Sequence, residues 1–530
     1  RKQKRRPEPS LYVNGQLTKN TQEKADALAD TFSKASQAAH LPSDLQKQRK
    51  KAEANFNTPS LDNSTSLNSN LTVEEVRSAI NSLTSASKAT GPDPISYHMI
   101  RRFPEPAIRM LHSLYQSCWE SGTIPKPWKK AIVVAIPKEG KPPKLTTSYR
   151  PIALTPHLGK IYERILKNRL DHHLEKNEIL PICQAGFRKG RNCMEHVVRL
   201  LEDTKRWTRR TKSRLTVATF FDIKKAFDTV WHAKLLDKIN ALGITGRMYQ
   251  FVQTFLDSRE MAVKVGPSIS PTHTLDMGVP QGSVIAPTLF NIMLHDIMNA
   301  IKPGKETPAV SLFADDLAIW SNIQTRTKKR QMTNYQRAID QIQLYMEENG
   351  FQLSAEKTTF MVFSRQRTRG NLKIQVGEHA ILPSKSTKFL GVTITSSLCW
   401  EKHITDRITK AMRGIGLIKK LKHETWVTPD SLIHLTAALV RSRLTYGHEA
   451  FFTAPKTLWQ QLTRTELCAL KHALDVHQSA INDLVYQEAG WLPLKDECRR
   501  RRANFEIRAS AVKNTVKDAF KNNQIGRAHV

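Results

Sequence analysis

The stretch Ser311-Leu312-Phe313-Ala314-Asp315-Asp316-Leu317-Ala318-Ile319-Trp320 sets two adjacent acids between apolar runs. Leu312-Phe313 and Leu317 to Trp320 have the composition of short buried strands, whereas Asp is depleted in strands and favoured in turns. The pattern predicts a tight hairpin with Asp315 and Asp316 at its tip. Buried flanks hold such carboxylates rigidly, as a metal site requires. Hard divalent cations such as Mg²⁺ take carboxylate oxygens and keep positions open for substrate phosphates. Taken alone, such a pair is more often an ordinary acidic turn; a second acidic strand end changes the odds.

A second acidic strand end lies far upstream. Leu215-Thr216-Val217-Ala218-Thr219-Phe220-Phe221 runs straight into Asp222. A continuous run of β-formers predicts a buried central strand. A carboxylate at its end is costly without a cation partner. Only the fold can bring Asp222 to Asp315. Two metals held by such carboxylates clamp the attacking and leaving oxygens of an in-line phosphoryl displacement.

Between the two acidic sites lies Gly278-Val279-Pro280-Gln281-Gly282-Ser283. This order, acidic strand, Pro-Gln-Gly-Ser and paired-Asp hairpin, resembles the reverse transcriptases, most closely those of non-LTR (LINE-type), jockey-like retrotransposons. The resemblance spans residues 71–450. It implies an α+β right hand, with fingers and palm around an antiparallel palm sheet and a helical thumb. It implies RNA-directed DNA synthesis, in which a primer 3′-hydroxyl attacks the α-phosphate of a dNTP. Asp222, Asp315 and Asp316, with the backbone carbonyl of Ile223, would hold two Mg²⁺ ions, with Mn²⁺ as a substitute. Lys357 matches the palm lysine that protonates the leaving pyrophosphate, a task suited to a tunable amine. Lys138 and Arg150 stand where related fingers bring cations to the triphosphate.

The same resemblance sets the ring of Phe227, five residues after Asp222, under the incoming sugar, leaving no room for a 2′-hydroxyl. Gln281 and Gly282 belong to a loop that supports the template–primer. Gly282 permits close approach of another backbone or a ligand. The implied partners are an RNA template, a DNA primer or nicked target DNA, and dNTPs, and the implied compartment is the nucleus. Two rivals remain at this stage. One is a catalytically inactive RNA-binding relic of the same fold, against which the intact acids argue. The other is an RNA-making polymerase, against which Phe227 argues.

Composition agrees with a polyanion partner. The 530 residues carry 82 Lys plus Arg against 48 Asp plus Glu, a formal net charge of +34. Such an excess makes nucleic acid the default ligand. The length exceeds one compact core and predicts two to four subdomains. The six cysteines form no Cys-x-x-Cys pair, which disfavours a zinc knuckle or disulfide framework. No apolar run has membrane-spanning length, so no membrane partner is expected.

Along the chain, residues 1–70 read as a basic segment and linker, opening on Arg1, Lys2, Lys4, Arg5 and Arg6. Residues 71–117 read as a helical lead-in, with Thr72 and Glu75 forming a capping box. Residues 118–394 form the expected fingers and palm, 395–480 the thumb and 481–524 a basic C-terminal segment. Residues 525–530 resemble a translated sequencing adapter and are expected to be non-native. Finer expectations are a helix opened by Pro280–Ser283, a strand over Thr359–Phe363 and a strand over Lys388–Ile394. Gln184-Ala185-Gly186-Phe187-Arg188 matches a fingers motif whose role, structural or template-contacting, the sequence does not choose.

Overall fold

The computed structural model describes residues 9–13, 15–40, 43–56, 62–83, 89–210, 214–304, 306–364 and 372–511. The basic run of residues 1–6 and the 525–530 tail lie outside the described residues. Helices and sheets are mixed along the chain. Two compact units are each assembled from separate stretches. One combines Arg1–Pro181, Ile223–Asn299 and Leu344–Gln352, and the other Ile182–Asp222, Ala300–Gln343 and Leu353–Val530.

The second unit is built on a four-stranded antiparallel sheet. Its strand order is Thr359–Phe363, Arg214–Phe221, Asp316–Gln324, Ala309–Phe313. The Arg214–Phe221 strand is central, and seven of its eight residues are buried. One face packs Ala218, Phe220, Ala318, Trp320, Met361 and Phe363 against Val197, Leu200 and Leu201 of the Cys193–Arg210 helix. On the other face the Tyr335 hydroxyl lies 2.9 Å from Thr219 Oγ1 and donates to the Ile319 carbonyl at 3.1 Å. Both faces are covered, which is why this strand reads as an unbroken apolar run rather than an alternating one. Helices Glu401–Leu421, Lys456–Ala473 and Leu494–Ala511 follow, sharing a core that includes Ile404, Ile415, Leu462 and Phe505.

The first unit contains a five-stranded sheet. Tyr149–Leu154 pairs antiparallel with Lys130–Pro137, which pairs in parallel with Arg259–Val265. Ala25, Leu28, Ala29 and Phe32 of the Thr21–Ser33 helix cover Ala131, Val133, Met261 and Val263. The capping box forms as expected: the Glu75 amide donates to Thr72 Oγ1, and Glu75 Oε2 accepts from the Thr72 amide.

Two expectations are corrected. Pro280–Ser283 does not open a helix; the helix runs Ala286–Met293. Pro280 and Ser283 instead close a turn, the Ser283 amide donating to the Pro280 carbonyl, while the Gln281 carbonyl accepts from Ala153 and Ser283 Oγ accepts from the Ala286 amide at the helix start. Lys388–Ile394 is not one strand. Ser386–Phe389 and Val392–Thr395 form their own hairpin, turning at Leu390 (φ +46°) and Gly391 (φ +79°). Two successive positive φ values reverse the chain within two residues, as in the tight turns of hairpins.

Candidate active site

The acidic hairpin has the expected form. Ala309–Phe313 pairs antiparallel with Asp316–Gln324, leaving Ala314 and Asp315 as the two-residue turn. Ala314 sits at φ +57°, a left-handed conformation unusual for a residue with a Cβ. Asp315 is therefore at the tip, and Asp316 opens the outgoing strand. The same strand pairs with the central one up to Leu317 against Phe221. One step beyond that pair stand Asp316 and Asp222. The 3.6-residue and two-residue periods cannot predict this meeting; the register of the sheet makes it.

The carboxylates act on one another. Asp316 is exposed at the start of its strand. Burial, then the charges of Asp315 and Asp222, nonetheless push its carboxyl up to about 6. Packed protein around part of the group raises the cost of its charge, and two like charges add to it. Asp222 meets a cation: Lys357 Nζ lies 3.0 Å from Asp222 Oδ2. The turn that carries Lys357 is tied to the same residue, because the Ser354 amide donates to the Asp222 carbonyl at 2.8 Å. Lys357 is otherwise exposed.

Asp222, Asp315 and Asp316 supply carboxylate oxygens, the donor type that hard divalent cations take, and burial together with the neighbouring charges disfavours the charge on Asp316. Among the described residues, no group of three or more His, Cys, Asp or Glu is arranged to hold a metal ion. Ile223, whose carbonyl was expected to join the set, is buried directly after Asp222.

The residues expected to bind substrate lie in the first unit. Phe227 is half-buried, and its ring stacks on the buried Phe290 at 4.6 Å between centroids and 16° between planes. Gln281 is not a free hydrogen-bonding group: its Nε2 donates to Asp228 Oδ1 at 2.9 Å. Burial pushes the Asp228 carboxyl up, opposed by that bond and by the charges of Lys225 and Lys138. Lys138 Nζ also donates to the Thr147 carbonyl at 2.9 Å, across the turn between the two paired strands. Arg150 is exposed on the strand opposite Ile136. A Cβ at Gly282 would lie 2.5 Å from the Ala153 carbonyl oxygen. The close approach expected at Gly282 is thus to backbone.

Glu163 escaped the sequence reading. It is buried, and its Oε2 accepts from the amides of Val284 and Ile285, just ahead of the Ala286–Met293 helix. A carboxylate there satisfies amides that the helix start leaves open and matches its dipole. Nothing local distinguishes Glu163 from the other acids of its helix.

Comparison with known proteins agrees with this geometry. Residues 136–394 match the family described as reverse transcriptase (RNA-dependent DNA polymerase). The chain is 30% identical over 397 residues to the RNA-directed DNA polymerase from mobile element jockey of Drosophila melanogaster, covering 73% of this chain and 42% of that protein. It carries a reverse transcriptase domain of the jockey-like, non-LTR kind. A probable RNA-directed DNA polymerase from transposon BS of Drosophila melanogaster is 32% identical over 320 residues, 59% of this chain and 34% of that one. The Pol polyprotein of the type-1 retrotransposable element R2 of Popillia japonica is 28% identical over 256 residues, 46% of this chain and 34% of its own length. The chain spans less than half the length of these relatives. The matched range contains Asp222, Asp315, Asp316 and Lys357, and the reverse transcriptase family as a whole uses divalent metals. No helix among the described residues is long and apolar enough to cross a membrane.

Proposed function

We propose that this chain is an RNA-directed DNA polymerase that copies element RNA into DNA. The observation that carries the reading is the juxtaposition of Asp222 with the Asp315–Asp316 hairpin at one end of an antiparallel sheet, inside a reverse transcriptase domain. In the right-hand reading, that sheet is the palm, the Lys130–Leu154 strand pair belongs to the fingers and the helices from Glu401 form the thumb. Asp222, Asp315, Asp316 and the Ile223 carbonyl would hold two Mg²⁺ ions, or Mn²⁺ in their place. Such ions supply positive charge to the attacking and leaving oxygens of an in-line displacement.

The chain's own groups do the rest. The sheet register and the hairpin turn hold the acids in place before substrate arrives. Lys357, whose Nζ donates to Asp222 Oδ2 at 3.0 Å, would serve as the acid toward the leaving pyrophosphate. Arg150 offers a fork-shaped guanidinium and Lys138 a point charge to the triphosphate. Phe227, braced by Phe290, presents a flat ring to the sugar. The primer in the cell would be the 3′-hydroxyl of nicked chromosomal DNA, which sets the reaction in the nucleus.

Primer extension by the purified chain, on pre-annealed RNA and DNA templates with dNTPs, tests the reading. Asp315→Asn keeps size but removes charge, and extension should fall at least about a thousandfold, roughly 4 kcal/mol. Template–primer binding should persist. Wild-type protein that binds template–primer yet extends neither template would instead identify a nucleic-acid-binding relic.

A further inference from the structure

The catalytic sheet has one outer strand beside its acidic turn, Ala309–Phe313. A short piece of chain covers it. The Leu312 amide donates to the Cys183 carbonyl at 2.8 Å, and the Ala185 amide donates to the Leu312 carbonyl at 3.0 Å. Gln184 thereby forms a parallel bridge with Leu312. The Gln184 side chain turns inward and is fully buried. Its Oε1 accepts from the Gly186 amide at 2.8 Å and from the Ala314 amide at 3.2 Å.

That second bond is the informative one. Ala314 is the left-handed residue of the acidic turn, immediately before Asp315. A residue with a Cβ in that conformation is unfavourable and persists where surrounding contacts over-determine it. Gln184 supplies such a contact from below. Gly186 permits it: a Cβ there would lie 2.4 Å from the Ala314 nitrogen. Gln184 Nε2 meanwhile finds no hydrogen-bond partner among the described residues. A buried amide group left unsatisfied is destabilising. An apolar side chain would avoid that loss, so the acceptor oxygen is the part of Gln184 that the fold uses. A glutamate would accept the same two bonds, but its negative charge next to the acidic turn makes the recovery it can give partial.

We infer that Gln184 is a positioning residue for polymerisation: its carboxamide oxygen holds the Ala314–Asp315 turn in its left-handed geometry and so aims Asp315. The inference rests on the polymerase reading above. It gives the Gln-Ala-Gly-Phe-Arg segment a definite role in its first three residues, where sequence alone left structure and template contact open.

The test compares Gln184→Met, which keeps length and loses the acceptor, with Gln184→Glu, which keeps an acceptor in place. A shift of the turn by about 1 Å should cost about a hundredfold in kcat. Gln184→Met is therefore expected to lose about that much kcat, while the dNTP KM, the template–primer Kd and the melting temperature stay close to wild type. Gln184→Glu should recover at least about tenfold of the loss. Wild-type kcat in Gln184→Met would overturn the assignment. So would equal losses in both variants at any melting temperature, with lowered melting marking a merely structural residue. Wild-type extension, measured in the same assay, separates failure of this inference from failure of the polymerase reading.

Discussion

Replacing Gly282 by alanine tests how tightly the Pro-Gln-Gly loop is docked. The added Cβ would lie 2.5 Å from the Ala153 carbonyl oxygen, where ordinary contact begins at 3.4 Å, so loop and strand must part by about 0.9 Å (3.4 − 2.5). Neither side is a flexible side chain that can swing away. The two segments are also joined by the Ala153 amide donating to the Gln281 carbonyl at 2.7 Å, a bond that parting would stretch. Gly282 itself sits at φ +123°, outside the range that residues with a Cβ readily adopt. Strain of this kind costs about 1–3 kcal/mol. The displaced residues include Gln281, which holds Asp228 one position after Phe227. A misplacement of about 1 Å near reacting groups costs about a hundredfold, or about 2.7 kcal/mol of barrier. Steady-state primer extension on an RNA template should therefore show kcat/KM lowered about a hundredfold in Gly282→Ala. Gly416→Ala is the control: it lies within the Glu401–Leu421 helix with nothing within 4 Å of its added Cβ. That change should leave activity alone and stabilise the helix by about 0.5–1 kcal/mol. Gly282→Ala enzyme with kcat/KM within twofold of wild type and unchanged melting would refute the docking argument.

Phe227→Val should shrink the dNTP-over-rNTP ratio of kcat/KM by at least about tenfold, equivalent to about 1.4 kcal/mol; equal loss on both sugars would make Phe227 only the stacking partner of Phe290. Glu466 is fully buried, with Arg441 Nε 2.9 Å from its Oε1 and the Tyr486 hydroxyl donating to its Oε2. Burial outweighs both partners and pushes its carboxyl from 4.5 up to about 7. The folded state then binds the proton more tightly than the unfolded one, so this group's contribution to stability is complete below about pH 4.5 and is lost as pH rises through about 7. Melting temperatures of wild type and Glu466→Gln measured from pH 4.5 to 8 should diverge in slope across that window; parallel curves would contradict the assignment. Affinity for duplex should fall log-linearly with salt and depend little on sequence, because phosphate neutralisation dominates binding by a chain of net charge +34; a flat salt titration would contradict it.

Several features of this protein were present in the sequence because they are local. The run from Leu215 to Phe221 specifies a buried strand by composition alone, and the structure makes it the central one. Acids between apolar flanks specify the hairpin at Asp315, and Thr72 with Glu75 specify a helix start through groups three residues apart. The family is legible for the same reason, since its motifs are short words in a set order. Other features depend on segments that meet only after folding. Phe227 rests on Phe290, Gln281 is held by Asp228, and Glu163 reaches the amides of Val284 and Ile285. The loop at Pro280–Ser283 looked like a helix start, yet it closes only a local turn, and its Gln281 carbonyl accepts from the distant Ala153 amide. Gln184 is the clearest case: its motif was visible, but its work is done on Ala314, 130 residues away. Periodicity and propensity report which face a residue presents to its near neighbours. They carry no information about which distant backbone will arrive at that face, and here that arrival sets the geometry of the acidic turn.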